Sequence, residues 1–229
     1  MTGTDRARRP DVWLVKISDP AFEVVADRDL ASAADRARAE RMMDPIQALR
    51  LLSRRATLRL ILARYVDAGP AELRIVTAPG GKPVLLPGPA FSVAHSGDLF
   101  VVAVGGSGSV GVDVERLRPV ARAAAIAERW FGHSEAGSLA AVPEEERDFA
   151  FMRLWTAKES LAKRHGAGLR LMKGTAGGPP VAALDVGAEL ESERLTYFDP
   201  GTGYLAAIAS SERIEEVNVL HPGEDLWKG

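Results

Sequence analysis

The sequence predicts an α/β protein built from two related halves, and three observations carry that prediction. Short apolar runs typical of β-strands are interleaved with longer segments of helical periodicity. The 229 residues, of which 46% are hydrophobic, suffice for one large domain or for two subdomains of about 100 residues each. Residues 91–104 can be aligned with residues 195–208, so each half contains a similar pair of predicted strands. We therefore expect subdomains at residues 1–112 and 113–229 that pack as one unit.

The N-terminal half is predicted to begin with a strand and two helices and to continue with further strands. The apolar stripe at residues 46–66 stops before Gly69 and Pro70, as a helix does. The glycines before Lys82 are typical of a tight turn, which is either an ordinary hairpin or one that brings the backbone close to a ligand. The predicted elements are a strand at 11–17, helices at 28–43 and 46–66, strand runs at 73–76, 90–96 and 100–104, and a strand at 110–115.

The C-terminal half is predicted to be mostly helical before its last strands. The acidic residues that follow Pro143 complement the dipole of a helix that starts there. The apolar periodicity of this long helix continues to Leu161 and ends by Gly166 or Gly168. The remaining predicted elements are helices at 121–131 and 135–141, a loop at 174–180 and the strand pair within 195–208.

The composition excludes several classes of function. The chain contains no cysteine, which rules out disulfides, thiolate zinc sites and a cysteine nucleophile. Its 29 Lys and Arg residues against 31 Asp and Glu residues give a net charge of −2, without the basic field typical of nucleic-acid binding. No apolar stretch is long enough to suggest a membrane span or a secretory signal. We therefore expect a cytoplasmic protein that binds neither nucleic acid nor membrane.

Two short segments carry the main functional signal. Asp113 and Glu115 alternate with Val112 and Val114, so on a strand both carboxylates point the same way while the valines enter the core. Carboxylate oxygens together with substrate phosphate oxygens are the ligands that Mg²⁺ prefers.

The second segment carries Glu159 and Lys163, which are four residues apart and share one face of the predicted long helix. A lysine beside a bound cation can neutralise charge on a phosphate that is attacked or that departs. The two segments together predict phosphoryl-transfer chemistry. In a competing structural interpretation, Thr156 and Glu159 form a capping box and Glu159 merely pairs with Lys163, but the apolar periodicity begins well before Thr156.

His95 and a row of arginines are weaker candidates. His95 lies at the predicted end of a strand, from which a side chain can reach a ligand, although a lone histidine is more often a hydrogen-bonded structural group. The arginines of the helix at 46–66 are equally compatible with a solvated surface. These arginines are Arg50, Arg54, Arg55, Arg59 and Arg64.

Taken in order, the motifs resemble the 4'-phosphopantetheinyl transferases of the two-subdomain, surfactin-synthetase-activating (Sfp-like) type. The resemblance covers residues 35–204 and is strongest at 110–115 and at 155–159 with Lys163. The supporting matches are Gly81-Lys82-Pro83, residues 91–96, the segment from Arg55 to Arg59, and Trp130-Phe131 with Glu135. It implies a 4'-phosphopantetheinyl transferase fold, in which two pseudo-twofold-related subdomains each pack a small, mostly antiparallel sheet with helices and the active site lies at their interface.

The resemblance also implies an activity. The family transfers the 4'-phosphopantetheine arm of coenzyme A to a serine of an acyl, peptidyl or aryl carrier protein and releases adenosine 3',5'-bisphosphate. It implies Mg²⁺ as the metal, with Mn²⁺ as an alternative, and coenzyme A and a carrier protein as partners of a monomer. A place in secondary metabolite biosynthesis is a further expectation.

The roles of individual residues follow from the same resemblance. Asp113, Glu115 and Glu159 resemble the metal ligands, and Glu159 also resembles the base for the incoming serine. Lys163 resembles the group that steadies the pyrophosphate. The residues that resemble coenzyme A contacts are Arg55, Lys82, Pro83, His95, Ser96 and Lys163.

The sequence departs from the family pattern at two positions of the 91–96 segment. Ala94 stands where the family often has serine, and Ser92 stands where asparagine is common. The resemblance implies that losing the hydroxyl at position 94 removes one hydrogen bond to phosphate, worth about 0.5–1.5 kcal/mol net, for which backbone amides can substitute. The 3'-phosphate contacts among Arg36, Arg41 and Arg50 stay open.

Two other classes of function stay open on the sequence alone. One is another metal-dependent phosphotransferase or nucleotidyl transferase, although the chain lacks a P-loop and a dinucleotide-binding glycine fingerprint. The other is a non-catalytic module that binds coenzyme A or a carrier protein, for which a set of three metal-binding acids has no use. A purely structural interpretation explains each motif singly but not their joint order.

Overall fold

The structure, a computed structural model, describes residues 8–27, 30–106, 108–166 and 186–227. The strands are β1 (Asp11–Lys16), β2 (Ile75–Thr77), β3 (Pro83–Leu85), β4 (Phe91–Ser96), β5 (Leu99–Val104), β6 (Val110–Arg116), β7 (Leu195–Phe198), β8 (Tyr204–Ser210) and β9 (Asn218–Leu220). The α-helices are α1 (Pro20–Val24), α2 (Ala33–Glu40), α3 (Pro45–Ala63), α4 (Ala123–Trp130), α5 (His133–Ala140), α6 (Glu144–His165) and α7 (Val186–Glu191). Short 3₁₀ turns lie at Val25–Asp27 and Pro70–Glu72.

The two larger sheets share a topology. The first has the strand order β4-β5-β1-β9, and the second has the order β7-β8-β6. In each, a hairpin (β4-β5 or β7-β8) pairs antiparallel with the first strand of its half (β1 or β6). The weak internal similarity in the sequence therefore corresponds to two equivalent hairpins. The predicted fold class, two small and mostly antiparallel sheets packed with helices, is confirmed.

The similarity extends differently at its C-terminal end. With one residue of slip, residues 112–114 also align in sequence with residues 217–219, but the structural counterpart of β6 is β1. Strand β9 instead lies parallel to β1 at the edge of the first sheet, so the C-terminal segment returns to the N-terminal half. The predicted boundary between residues 112 and 113 falls within β6, and the division into two subdomains stays a prediction.

The apolar side chains form layers. The inner faces of the two sheets share one cluster, which includes Val12, Leu14, Val112 and Val114. The outer face of the first sheet packs against α1 and α3, and the outer face of the second packs against α6 and α7. Helices α4 and α5 pack with α6 in a further cluster rich in aromatic rings. The alternation predicted for β6 is confirmed, since Val112 and Val114 are both buried between the sheets.

Most of the predicted helices exist, with shifted ends. Helix α3 begins at Pro45, where the side chain of Asp44 accepts hydrogen bonds from two amides of its first turn, and it ends at Ala63. Within the described part of the predicted helix at 28–43, only Ala33–Glu40 is α-helical, because Ser32 caps its start. Helix α1, capped by Asp19, was not predicted, since five residues are too few to show a period.

Three further predictions concern the long helix, the loop that follows it and the turn before Lys82. Helix α6 runs unbroken to its C-cap, Gly166, which adopts the left-handed conformation that glycine favours. The predicted loop at 174–180 and the alternative helix end at Gly168 lie outside the described residues. Of the two interpretations of the turn before Lys82, the hairpin exists as β2 and β3, and the adjoining pocket is described below.

Candidate active site

Helix α6 lies directly on strand β6, and this contact brings the predicted site residues together. Gly111 is the point of closest approach, because a Cβ atom there would overlap the carbonyl oxygen of Ser160 and the backbone nitrogen of Arg164. A glycine within a strand permits such an approach of two backbones. The two acidic residues that follow on the same face of β6 are thereby placed beside the last turns of the helix.

Asp113 is the most deeply buried acid of the site, with 6% of its surface exposed. Its Oδ1 accepts a hydrogen bond of 2.7 Å from Nζ of Lys163, whereas its buried Oδ2 has no hydrogen-bond partner among the described residues. Burial raises the pKa of Asp113 to about 7, against the charge of Lys163 and with the charges of Glu159 and Glu115. A buried oxygen without a partner is costly unless a proton or a cation binds it.

Glu159 and Lys163 are one turn apart on α6, but they do not pair with each other. Lys163 bonds Asp113 instead, and within the described part of the chain Glu159 has no hydrogen bond or ion pair. Burial raises the pKa of Glu159, the charge of Lys163 lowers it and that of Glu115 raises it further. The capping-box interpretation is wrong, because α6 begins at Glu144, far upstream. Glu159 is thus a half-buried carboxylate that is free to accept a proton.

Glu115 is held by a serine of the neighbouring sheet. Ser96 Oγ donates to Oε2 of Glu115 at 2.9 Å and accepts the backbone N–H of Arg116 at 3.1 Å. Since a hydroxyl has a single proton to donate, Ser96 as placed cannot also donate to a phosphate. Its contact orients the third carboxylate of the site.

The two departures from the family pattern lie where the sheets meet. The buried hydroxyl of Ser92 accepts the backbone N–H of Val112 at 3.1 Å, so this residue joins β4 to β6. Ala94, between Ser92 and Ser96, is buried in the apolar cluster that the two sheets share. The alanine therefore packs between the sheets, as its apolar side chain favours.

His95 lies on the opposite face of β4 from Ser92 and Ala94, and its side chain points towards helix α3. Partial burial lowers its pKa, and the positive charges of Arg54 and Lys163 lower it further. Arg55, the arginine predicted for coenzyme A, donates from Nε to Oδ1 of Asp35 at 3.0 Å and so holds α2 against α3. The arginine whose charge lowers the pKa of His95 is Arg54, which precedes Arg55 in the sequence.

Arg54 is part of a cluster of positive charge. Burial lowers its pKa, and the charges of Arg55, Arg50 and Arg38 lower it further. Among the described residues Arg54 has no hydrogen bond or ion pair. Positive charge without a counterion next to a histidine is an environment that attracts an anionic group.

The other arginines of this region have different surroundings. Arg36 donates to a backbone carbonyl at 2.5 Å, Arg59 donates to the carbonyl of Pro70 at 2.9 Å, and Arg64 pairs with an aspartate near the C-terminus. Arg41 is exposed at the end of α2. The solvated-surface interpretation of the arginine row therefore fails for Arg59, which binds backbone, and for Arg54.

Lys82 is fixed by backbone carbonyls. Its Nζ donates to the carbonyl oxygens of Val110 at 2.6 Å, Lys163 at 2.8 Å and Arg164 at 3.3 Å. Burial and the charge of Arg164 lower the pKa of Lys82 to about 8. Its loop walls a pocket of about 200 Å³, which is lined by Gly80, Gly81, Lys82, Pro83, Ser92, Val93, Lys163 and Gly166.

A buried ion pair anchors the middle of α6. Lys158 is 3% exposed, and its Nζ lies 2.7 Å from Oε2 of Glu135 and 5.7 Å from the ring centroid of Phe131. The same carboxylate accepts the backbone N–H of Gly132 at the start of α5. The aromatic and acidic residues that supported the resemblance therefore hold the helix that carries Glu159.

The donor set fits a divalent cation in its chemistry. Asp113, Glu115 and Glu159 supply hard carboxylate oxygens, and the orphaned Oδ2 of Asp113 is the kind of buried acceptor that a cation satisfies. Their charges repel one another, and a cation would remove that repulsion. Within the described residues no three such side chains are spaced as a preformed metal site, and the Lys163 ammonium occupies Oδ1 of Asp113.

Comparison with known proteins agrees with the geometry. The sequence profile of the 4'-phosphopantetheinyl transferase superfamily matches residues 109–181, which include β6 and α6. A Synechocystis sp. protein that is provisionally named a 4'-phosphopantetheinyl transferase is 34% identical over 165 residues, 70% of this chain and 66% of that protein. The transferase HetI of Nostoc sp. is 31% identical over 166 residues, 69% of each chain.

The Bacillus subtilis transferase Sfp is 33% identical over 115 residues, which cover 49% of this chain and 50% of Sfp. The aligned part of the chain thus spans between half and about two thirds of these relatives. The chain belongs to the 4'-phosphopantetheinyl transferase superfamily, and the family resemblance in its sequence is confirmed.

Several residues that build the site were not assigned a role from the sequence, although two of them, Gly111 and Lys158, lie in sequence patterns that indicate one. Gly111 interrupts a strand of β-branched residues, which is typical of a close backbone contact. Lys158 lies four residues after Leu154 and three before Leu161, so it falls within the apolar stripe of its helix. Nothing in the local sequence separates Arg54 from its neighbour, since that choice depends on where α2 packs.

Proposed function

We propose that this protein transfers the 4'-phosphopantetheine arm of coenzyme A to a serine of an acyl, peptidyl or aryl carrier protein. The observation that carries the proposal is the buried Asp113, whose free oxygen lies in a site that also holds Glu115, Glu159 and Lys163. In such a cluster the carboxylates can bind a cation, and the lysine beside them can neutralise charge on a pyrophosphate. The chain's membership of this transferase family supports the assignment.

The three carboxylates would hold Mg²⁺, with Mn²⁺ as the alternative, and the metal when bound withdraws charge from the pyrophosphate oxygens. Ser96 fixes Glu115 from the neighbouring sheet. Lys163, held at the site by Asp113, places a positive charge where the pyrophosphate would lie.

In the transfer step, the serine hydroxyl of the carrier protein attacks the phosphorus that bears the pantetheine arm. A bond forms between the serine Oγ and that phosphorus, and the bond from the phosphorus to the bridging oxygen breaks. The bridging oxygen leaves with adenosine 3',5'-bisphosphate. Glu159 takes the proton of the serine, directly or through a water molecule, which its raised pKa favours.

The nucleotide end of coenzyme A would lie across the first sheet. We assign the 3'-phosphate to His95 and Arg54 rather than to Arg55, because Arg55 is paired with Asp35. The backbone of the loop that carries Lys82 and Pro83, which walls the pocket beside Lys163, would face the nucleotide.

The setting of the enzyme is part of the same proposal. Action as a monomer stays a prediction. Among the described helices, none has the combination of length and apolar character that crossing a bilayer demands. A cytoplasmic location and a role in secondary metabolite biosynthesis stay predictions.

The function can be tested with a fluorescent coenzyme A and a panel of apo-carrier proteins, with and without Mg²⁺. We expect label on a serine of at least one carrier, and 3',5'-ADP only when coenzyme A, carrier and metal are all present. Cleavage of coenzyme A without any carrier would instead indicate another phosphotransferase. Tight binding of coenzyme A with no transfer to any carrier would indicate a non-catalytic module.

A further inference from the structure

The geometry points to Lys82 as a positioning residue that fixes helix α6 against strand β6, rather than as a ligand for coenzyme A. Lys82 lies on the β2–β3 hairpin loop, in the N-terminal half of the sequence. Its side chain crosses to the ends of the two elements that carry the proposed catalytic groups. This inference rests on the proposed function, because it assigns a role in that reaction.

The contacts of the ammonium leave it no free donor. A lysine has three N–H donors, and Nζ of Lys82 lies within hydrogen-bond distance of three carbonyl oxygens, those of Val110, Lys163 and Arg164. A phosphate of coenzyme A could bind Lys82 only by displacing one of these carbonyls.

Two of the three carbonyls belong to the last turn of α6. Carbonyls in the last turn of a helix lack their usual partners within the helix, and the helix dipole makes that end attractive to a positive charge. Besides Lys82, the carbonyl of Lys163 accepts the backbone N–H of Gly166 at 3.2 Å. The C-cap, Gly166, lies directly against the lysine stem, since a Cβ there would stand 3.4 Å from Cδ of Lys82, an ordinary van der Waals distance. The ammonium therefore completes the end of the helix from outside.

The third carbonyl connects the helix end to β6. Val110 is the first residue of β6 and precedes Gly111, where strand and helix touch. One ammonium thus bonds both elements next to their closest contact. Glu159 and Lys163 lie on one of these elements and Asp113 lies on the other, so their separation depends on this junction.

Other charged groups at the junction are engaged elsewhere. The guanidinium of Arg164 pairs with Glu189 and donates to the carbonyl of Ser210. The side chain of Lys163 is turned to Asp113. Among the described residues, the carbonyls that Lys82 binds accept no other side-chain hydrogen bond.

The loop of Lys82 also forms a wall of the pocket next to the proposed reaction centre. Gly80, Gly81 and Pro83 line this pocket together with Lys163 and Gly166 of the helix end. Lys82 therefore ties the surface that would bind the nucleotide to the helix that would perform the chemistry. A shift of about 1 Å in such a helix can lower a reaction rate about 100-fold.

The test compares Lys82→Met, which keeps the aliphatic stem without donors, with Lys82→Arg, which keeps the charge and the donors. For each variant, kcat and the KM for coenzyme A are measured with a carrier protein and Mg²⁺. Kd for coenzyme A is measured separately by calorimetry in EDTA. We expect Lys82→Met to lower kcat about 100-fold while KM and Kd change less than about threefold, and Lys82→Arg to restore most of kcat.

Other results would overturn the inference. A tenfold or larger rise in KM and Kd with an unchanged kcat would make Lys82 a direct ligand of coenzyme A. Equal activity of Lys82→Met and wild type would show that the junction does not need the ammonium. If Lys82→Met does not fold, Lys82→Gln, which keeps an amide donor on a shorter stem, replaces it with the same expected split.

The wild-type protein separates this inference from the proposed function. If the wild type transfers nothing to any carrier, the proposed function fails, and the variants have no activity to compare. Hydrogen exchange then decides the structural claim, because Lys82→Met should exchange the amides of the last turn of α6 faster than Lys82→Arg whether or not transfer occurs.

Discussion

The two halves of the molecule each bury one aspartate on a corresponding strand, and the two side chains have opposite surroundings. Asp11 on β1 and Asp113 on β6 are each 6% exposed. Each strand pairs antiparallel with the second strand of its own hairpin. Each aspartate is adjacent in sequence to a valine that packs between the sheets. Because side chains alternate along a strand, each aspartate points to the opposite, helix-covered face of its sheet.

Asp11 has partners for both of its oxygens. Asn218 of β9 donates to Oδ1 at 2.7 Å, and the hydroxyl of Tyr65 donates to Oδ2 at 2.9 Å. The same hydroxyl accepts the indole N–H of Trp13 at 2.7 Å. This network ties β1, β9 and the end of α3 together, and it is a structural use of a buried acid.

Asp113 has one partner, Lys163, and one oxygen without any among the described residues. Its pKa is raised to about 7, chiefly by burial. The comparison shows that one topology can bury an acid in two ways. Complete hydrogen bonding stabilises the fold, whereas an unsatisfied oxygen beside two further acids leaves a group free for a ligand.

The largest expected effect separates the two aspartates by activity. Asp113→Ala should lower transfer to the carrier protein about 1,000-fold or more, because it removes a proposed ligand of the metal that would withdraw charge from the pyrophosphate. Asp11→Ala, the matched control, should keep its activity per folded molecule. Steady-state kinetics on both variants, with the folded fraction fixed by circular dichroism, makes the comparison. Equal losses in the two variants would contradict the distinction between them.

Glu159→Gln should lower kcat by about 100-fold or more, since the amide cannot take the serine proton. The binding of coenzyme A in EDTA should change little, because the proposed role of Glu159 places its side chain at the reacting centre rather than at the nucleotide. Stopped-flow transfer and calorimetry measure the two quantities. Retention of wild-type kcat would remove Glu159 from the role of base.

The two adjacent arginines should separate in the same way as the aspartates. Arg54→Met should raise the KM for coenzyme A about tenfold or more through the loss of a charge-assisted contact, with a smaller effect on dephospho-coenzyme A, which lacks the 3'-phosphate. Arg55→Met should act mainly on stability, because it breaks the pair with Asp35. If Arg55→Met alone changes the KM, Arg55 and not Arg54 is the coenzyme A contact, as the family resemblance implies.

The two aspartate variants should differ in stability in the opposite sense to their activity: Asp11→Ala, the active variant, should be the less stable one. Asp11→Ala leaves Tyr65 and Asn218 without their acceptor and should lower the free energy of unfolding by about 1–3 kcal/mol. Asp113→Ala removes an unsatisfied buried acceptor together with the partner of Lys163, whose ammonium is partly exposed to water, so metal-free stability should change less than in Asp11→Ala. Urea denaturation in EDTA measures both. A larger loss of stability in Asp113→Ala would show that Asp113 is the structural residue.

The smallest expected effect is a slope in stability with pH. The pKa of Asp113 is about 7 in the fold against an ordinary value of 3.8, so the folded protein keeps a proton that the unfolded chain has released. This contribution is fully present below pH 3.8 and is lost as the pH rises through about 7. Asp113→Ala should reduce that decline in metal-free protein. An unchanged decline would place the titration elsewhere.

The sequence predicts the local features of this structure well. Strand β6 and helix α6 were both expected, as was the alternation that turns the valines of β6 inward. Periodicity of two or of 3.6 residues, with glycine and proline at the ends, is enough to identify such elements. The acids on these elements could be named because the face of an element follows from its period.

Contacts between distant segments could not be read in this way. Lys82 binds carbonyls that are 28 to 82 residues away, and Ser96 holds Glu115 across a boundary between sheets. The choice of Arg54 over Arg55 depends on Asp35 of α2. Each of these facts is set by how whole elements pack, which no local period encodes.

The central claim is that the half-satisfied Asp113 belongs to a transfer site and the fully satisfied Asp11 belongs to the scaffold. Intact-protein mass spectrometry of an apo-carrier protein, after incubation with coenzyme A, Mg²⁺ and each enzyme variant, tests it most directly. We predict one phosphopantetheinyl group on the carrier with wild type and Asp11→Ala, and none with Asp113→Ala. A modified carrier with Asp113→Ala at the wild-type rate, or no modification by the wild type, would contradict the claim.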